Sequence, residues 1–229
     1  MFAINHAATA LIIKKRFPGV PLVWLLISVQ FVEILWVLLN FLDIEHIWTE
    51  SDINTVADIH LSYMPYSHSL MSSIVFAVMA WLIVYNFYKY RIAAIAAAIG
   101  IFSHIVLDML THTQDISLFP FLLEQKIGVG LYAIPMAAFF VEMAYGVFCW
   151  WVFRGSKALL ATILTFNLAN ISFFLAVVKG PEVLMANHPY WIVGAVAVQI
   201  VVTLALIWLL AKPRSVVLEQ QVALQRIRA

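Results

Sequence analysis

"IAAIAAAIGIFSHIVLDMLTH", residues 92–112, begins as an uninterrupted apolar run and ends with three ionisable side chains. His104, Asp108 and His112 follow one another at four-residue spacing. At about 1.5 Å per residue the segment makes a helix about 30 Å long, enough to cross a bilayer core. Positions i, i+4 and i+8 share a helical face, so the three groups are expected to form one column. Each ionisable group inside hydrocarbon costs a few kcal/mol, so the column demands a partner that offsets the cost.

The rest of the chain supports the membrane reading. Of 229 residues, 64% are hydrophobic and 11% charged, whereas a soluble domain is about a quarter charged. Six apolar runs are long enough to span: 20–42, 67–89, 92–112, 129–152, 157–178 and 190–211. Residues 2–13 form a shorter run that reaches only about 18 Å as a helix. They are read as a half-helix or re-entrant segment, with a surface-lying amphipathic helix as the alternative. The expected fold is an all-α integral membrane bundle of about six transmembrane helices plus this short N-terminal helix. One polytopic domain covers 1–229, and 212–229 forms a cytoplasmic tail. Arg226 and Arg228 fall in a short amphipathic helix there. The net charge of +1 gives no case for nucleic acid as a partner, and the single Cys149 excludes an intrachain disulfide.

Basic residues set the expected orientation. Lys14, Lys15, Arg16, Lys89, Arg91, Arg154, Lys157, Lys212, Arg214, Arg226 and Arg228 fall at one set of chain segments, and only Lys126 and Lys179 at the other. The positive-inside rule then puts both termini in the cytoplasm and loops 43–66, 113–128 and 179–189 outside. Trp150, Trp151, Tyr190 and Trp191 read as interfacial anchors.

Counted from the nearest cytoplasmic basic residue at about 1.5 Å per residue, Glu33 and Glu142 lie about 18 Å up, His104 about 20 Å and Asp108 about 25 Å. His68 and His112 lie about 31 Å up, and His6 about 12 Å or higher if residues 2–13 fold back. The acids and histidines therefore gather in the middle and outer part of the bilayer. A His-x-x-x-Asp pair on a helix can offer nitrogen and oxygen to one ion, and zinc takes such ligands, with three protein ligands plus water at catalytic sites. A column of about 12 Å is too long for one ion, so His112 suits a second ion or an outer contact. A simple buried His–Asp couple is the alternative. Glu33 and Glu142 are the candidate proton acceptors. Asp58 and His60 are candidates for the rim, and Asp115 for a weaker ligand. His46 and His188 are expected in solvated loops, and Asn167, Asn170 and Gln199 in interhelical hydrogen bonds.

"SHIVLDMLTH" (103–112), followed by "LFPF" (118–121), resembles a signature of the inner-membrane-associated metal-dependent hydrolase family. "YSHSL" (66–70) resembles that family's "THS" motif, with Ser67 in place of Thr, and His6 in "INHAATALI" resembles its N-terminal histidine. The resemblance covers residues 1–125. Where the family has "LPDxD", this chain has "QFVEIL" (30–35), with Glu33 alone. The family's label rests on a distant likeness to zinc phospholipase C-like helical enzymes. The resemblance implies a bacterial-type inner-membrane location and a metal set drawn from His6, Glu33, His68, His104 and Asp108, with His112 in the same segment as a weaker candidate.

Together these readings lead to an expected membrane-embedded metal-dependent hydrolase. Its cofactor is zinc, with manganese or iron accepted by the same ligand types. Its substrate is a phosphoester or ester of a lipid or lipid-linked molecule, reached from the outer side. Three alternatives stay open from the sequence: an ion or metal transporter, a haem-binding electron carrier, and a non-enzymatic protein with a structural metal site.

Overall fold

The computed structural model describes residues 1–211; the tail 212–229, with the amphipathic helix expected around Arg226 and Arg228, lies outside the described residues. The architecture is an all-α bundle carrying two small hairpins. Helix α1 covers Ala3–Arg16, α2 Leu22–Phe41, α3 Leu70–Tyr88, α4 Arg91–Thr111, α5 Pro135–Phe153, α6 Lys157–Ala169, α7 Glu182–Met185 and α8 Pro189–Leu210. Among the described residues, five helices are long and apolar enough to cross a membrane: α2, α3, α4, α5 and α8.

The expected fifth span, 157–178, is corrected. Helix α6 has 13 residues and ends at Asn170, followed by a single 3-10 turn at Ile171–Phe173. At about 1.5 Å per residue α6 rises only about 20 Å. Polar side chains break it. Asn170 turns its amide back to the Phe166 carbonyl at 2.8 Å. Ser172 gives its hydroxyl to the buried Glu182, which also takes the Gly180 N–H. Such local bonds compete with helix propagation.

Helix α1 is the short helix expected at the N-terminus, and it lies inside the bundle, not on its surface. Ten of its fourteen residues are buried, from Ala3 to Ile13. Four of them are alanine, whose small side chains let α2, α5 and α8 approach closely. Its last turn carries Lys14, Lys15 and Arg16 at the negative end of the helix dipole. Lys14 closes that end by donating to the carbonyls of Pro18 and Val20 at 2.6 and 2.7 Å. Helices α3 and α5 also stop at basic residues, Lys89 and Arg154, both left-handed (φ 52° and 59°).

Two loops that the sequence leaves unstructured fold back as antiparallel hairpins. Strands β1 (His46–Thr49) and β2 (Ile59–Tyr63) pair His46 with Tyr63 and Thr49 with Ile59. Strands β3 (Ile116–Phe119) and β4 (Leu122–Ile127) pair Ile116 with Ile127 and Phe119 with Leu122. The β1 alternation buries Ile47 and Thr49 and exposes His46 and Trp48.

One close approach sets the position of the site. A Cβ on Gly100 of α4 would lie 2.1 Å from the Ser28 hydroxyl of α2. Only a hydrogen at position 100 lets these helices meet there. Glu33 follows Ser28, and His104 follows Gly100, by little more than one turn in the same direction. The contact therefore carries Glu33 of α2 up to His104 and Asp108 of α4.

Candidate metal centre

Four side chains from three places in the chain converge inside the bundle. Glu33 comes from the middle of α2, and His104 and Asp108 come from successive turns of α4. His68 comes from the turn just before α3, whose first turn is capped by the Ser69 hydroxyl. Among the described residues, these four form the set whose ligand atoms lie within 4.8 Å of one another. His104 Nε2 is 3.1 Å from Asp108 Oδ2 and 3.2 Å from Glu33 Oε2. His68 Nε2 is 3.4 Å from Glu33 Oε2 and 3.6 Å from Asp108 Oδ2. His68, His104 and Asp108 are buried, and Glu33 is 17% exposed.

The hydrogen bonds on the far side of each ring determine what these atoms are. His104 Nδ1 lies 2.9 Å from the Val29 carbonyl, an acceptor only, so Nδ1 carries the proton. The Ser67 hydroxyl donates to Glu45 Oε2 at 2.5 Å, so it accepts from His68 Nδ1 at 2.8 Å. In the neutral rings both Nε2 atoms are therefore lone pairs facing carboxylate oxygens. Four acceptors point at one another with no donor between them. His104 Nε2 and Asp108 Oδ2 are buried without any hydrogen-bond partner. Unpaired buried acceptors are costly, and a cation between them removes the cost. Zinc ligands at about 2.0–2.1 Å in tetrahedral array stand about 3.3 Å apart, in line with these separations. The donor set fits a zinc ion and also manganese or iron.

The remaining sequence candidates surround this point without joining it. His6 Nε2 lies 3.0 Å from Asp108 Oδ1, the oxygen on the other side, and its ring stacks on His104 at 3.8 Å. The Met1 α-ammonium contacts the same Oδ1 at 2.7 Å. His112 departs from the expected helical column: it is the extended C-cap of α4, because the helix stops at Thr111. Its Nε2 still stands 3.6 Å from Asp108 Oδ1, and its Nδ1 the same distance from Asp115.

Glu142 accepts from Phe2 N–H, Asn5 Nδ2 and the Tyr132 hydroxyl at 2.9, 2.8 and 2.8 Å. It is a fully engaged carboxylate that anchors the positive end of α1. Asp58 takes the N–H groups of Asn54 and Thr55 within the first hairpin, and exposed His60 faces Glu50. His46 and His188 are exposed. Asn167 pairs with Asn5, and Gln199 donates to Asn170, so these amides join α6 to α1 and α8.

Sequence reasoning missed Glu45. It is buried, and it takes the N–H groups of Tyr66 and Ser67 at 2.8 Å as well as the Ser67 hydroxyl. Its four-residue offset from the end of α2 carries no pattern that separates it from the other four acids of that loop.

Above the cluster opens a cavity of about 130 Å³. Glu33, His68 and His112 form its polar floor, and Trp36, Ile47, Val56, Phe173, Ile192 and Val196 are among its apolar walls.

A family model described as the YdjM inner membrane protein matches residues 42–214. The chain belongs to the YdjM inner membrane protein family. The matched residues include His68, His104 and Asp108, whereas Glu33 and His6 precede them. The family's description extends to membrane location. No curated protein and no solved structure matches the chain.

Proposed function

We propose that this inner-membrane protein is a metal-dependent hydrolase that cleaves an ester or phosphoester of a lipid or lipid-linked substrate, with zinc as the metal. The observation that supports it is the convergence of two imidazole lone pairs and two carboxylate oxygens beneath an otherwise apolar cavity. His68, His104 and Asp108, all buried, would hold the ion. Zinc bound there supplies a Lewis acid and acidifies water at neutral pH. Glu33 is the member of the set that is partly exposed and lines the cavity. Its Oε2 faces the imidazoles, and its Oε1 is left to hold or take a proton from water. The apolar walls exclude bulk water and receive the chain of the substrate. The basic residues of α1, α3 and α5 gather at the opposite end of these helices, so the cavity faces the outer side of the membrane in this reading.

Elemental mass spectrometry of the detergent-purified protein, beside His104→Ala, tests the metal. One or two equivalents of zinc, lost in the variant, support the reading. Absence of metal after zinc is added back overturns it and turns attention to uptake assays in sealed vesicles. Glu33→Gln separates a hydrolase from a structural metal site. Retained zinc with hydrolysis reduced on the order of 100-fold or more supports Glu33 as the base. Unchanged hydrolysis removes that role.

A further inference from the structure

The charges around the cavity narrow the substrate. Glu33 and Asp108 bring two negative charges to the cluster, and the carboxylate of Glu142 lies behind the same floor, bonded to Phe2 and Tyr132, which line the cavity. Together these three carboxylates carry three negative charges, which one divalent ion and the Met1 ammonium balance without surplus. Among the described residues, no Lys or Arg lines the cavity. The Met1 ammonium is already paired with Asp108 at 2.7 Å. Sites that cleave phosphoesters hold the anionic oxygens with Arg, Lys or additional metal charge. This cavity offers none of the cationic side chains, and its apolar walls make it costly to bring in a further negative charge with no countercharge to meet it.

We infer that the scissile group is uncharged: a carboxylic ester with an apolar acyl chain, seated in the cavity between α2 and α8 with its carbonyl at the cluster. The inference rests on the hydrolase reading above. A carbonyl oxygen is polarised without bringing charge into the site. In the overall reaction, water oxygen forms a new bond to the acyl carbon and the acyl C–O bond to the alcohol breaks. The bonding pair leaves with the alcohol oxygen, which takes one proton of the water. The second proton is released and the acid leaves as its carboxylate. Ala195 and Val196 on α8 line the acyl path.

The test uses the zinc-loaded protein in detergent with three probes of equal chain length: dioctanoylglycerol, dioctanoylphosphatidylcholine and dioctanoylphosphatidate. The expected result is octanoate release from dioctanoylglycerol, with phosphocholine and phosphate release slower or absent. Ala195→Trp should fill the cavity and lower octanoate release more than about tenfold while zinc content stays unchanged. Val196→Phe serves as the second variant if Ala195→Trp loses its zinc.

Phosphocholine or phosphate released as fast as octanoate, or faster, overturns the inference and leaves the hydrolase reading standing. Octanoate release that neither cavity variant affects overturns the acyl path through the cavity. No product from any probe overturns both readings.

Discussion

His104 Nε2 and Asp108 Oδ2 stand 3.1 Å apart, one helical turn from each other, and with the imidazole neutral neither has a hydrogen-bond donor. The Val29 carbonyl on the far side of the imidazole sets this relationship by accepting the hydrogen bond from Nδ1–H, which leaves Nε2 as the lone pair. Replacing one acceptor by a donor should relieve the metal-free protein and remove its need for a cation. Asp108→Asn is therefore expected to lose zinc binding. Zinc should raise the Tm of the wild type, by about 2.7 kcal/mol of stability at a hundredfold excess over Kd, and should leave the variant unmoved. Thermal unfolding with and without added zinc checks this. An equal zinc-induced shift in the variant would remove Asp108 from the site.

Glu45 holds Ser67, and Ser67 holds the His68 ring with its lone pair inward. Outer carboxylates of this kind fix the tautomer of a ligating histidine, and their loss costs about 10- to 100-fold in metal affinity. Glu45→Gln should weaken zinc binding by that factor, read by competition with a chromophoric chelator. Glu50→Gln, an exposed acid in the same loop, should not.

Gly100 allows α2 and α4 to touch beside Ser28. Gly100→Val should separate the helices, lower stability by about 1–3 kcal/mol and reduce zinc stoichiometry, because the Val29 carbonyl that orients the His104 ring moves away with α2. Ser28→Gly in the same chain should restore part of both. Circular dichroism melting with metal analysis measures the pair, and failure of any rescue would detach the site from this contact.

Glu142 anchors α1 through Phe2 N–H and Asn5, and also takes the Tyr132 hydroxyl. Glu142→Ala removes the acceptor of Phe2 N–H and of the Tyr132 hydroxyl and leaves Asn5 with Asn167 alone, at about 1–3 kcal/mol for each buried group left unpaired. A large fall in thermal stability is expected, and Glu142→Gln, which keeps an acceptor oxygen, should recover part of it. A variant with normal stability and lost hydrolysis would instead point to a chemical role for Glu142.

Much of the site is legible along the chain because intramembrane charges are rare. His104 and Asp108 share a helical face by spacing alone, Glu33 stands out by its depth in an apolar run, and His68 by the "YSHSL" motif at the outer start of one. Glu45 was not legible. It sits in a polar loop where an acid costs nothing, and only the fold brings Ser67 back against it. The break in α6 was hidden for a related reason. Residues 171–178 are apolar enough to continue a helix, and the competing partner of Ser172, Glu182, lies ten positions later.

The amino-acid sequence by itself determined an all-α membrane bundle, a short helix at the N-terminus and the level at which its ionisable groups gather. Apolar length and four-residue spacing are local properties, and they settle these matters before any packing. Only the tertiary structure decided which groups meet. Six candidate ligands became a set of four, with His6 and His112 on the far oxygen of Asp108. That choice depends on where Gly100 lets two helices touch, and on which carbonyl or hydroxyl accepts from each imidazole N–H. Both are contacts between residues far apart in the chain, which no local pattern records.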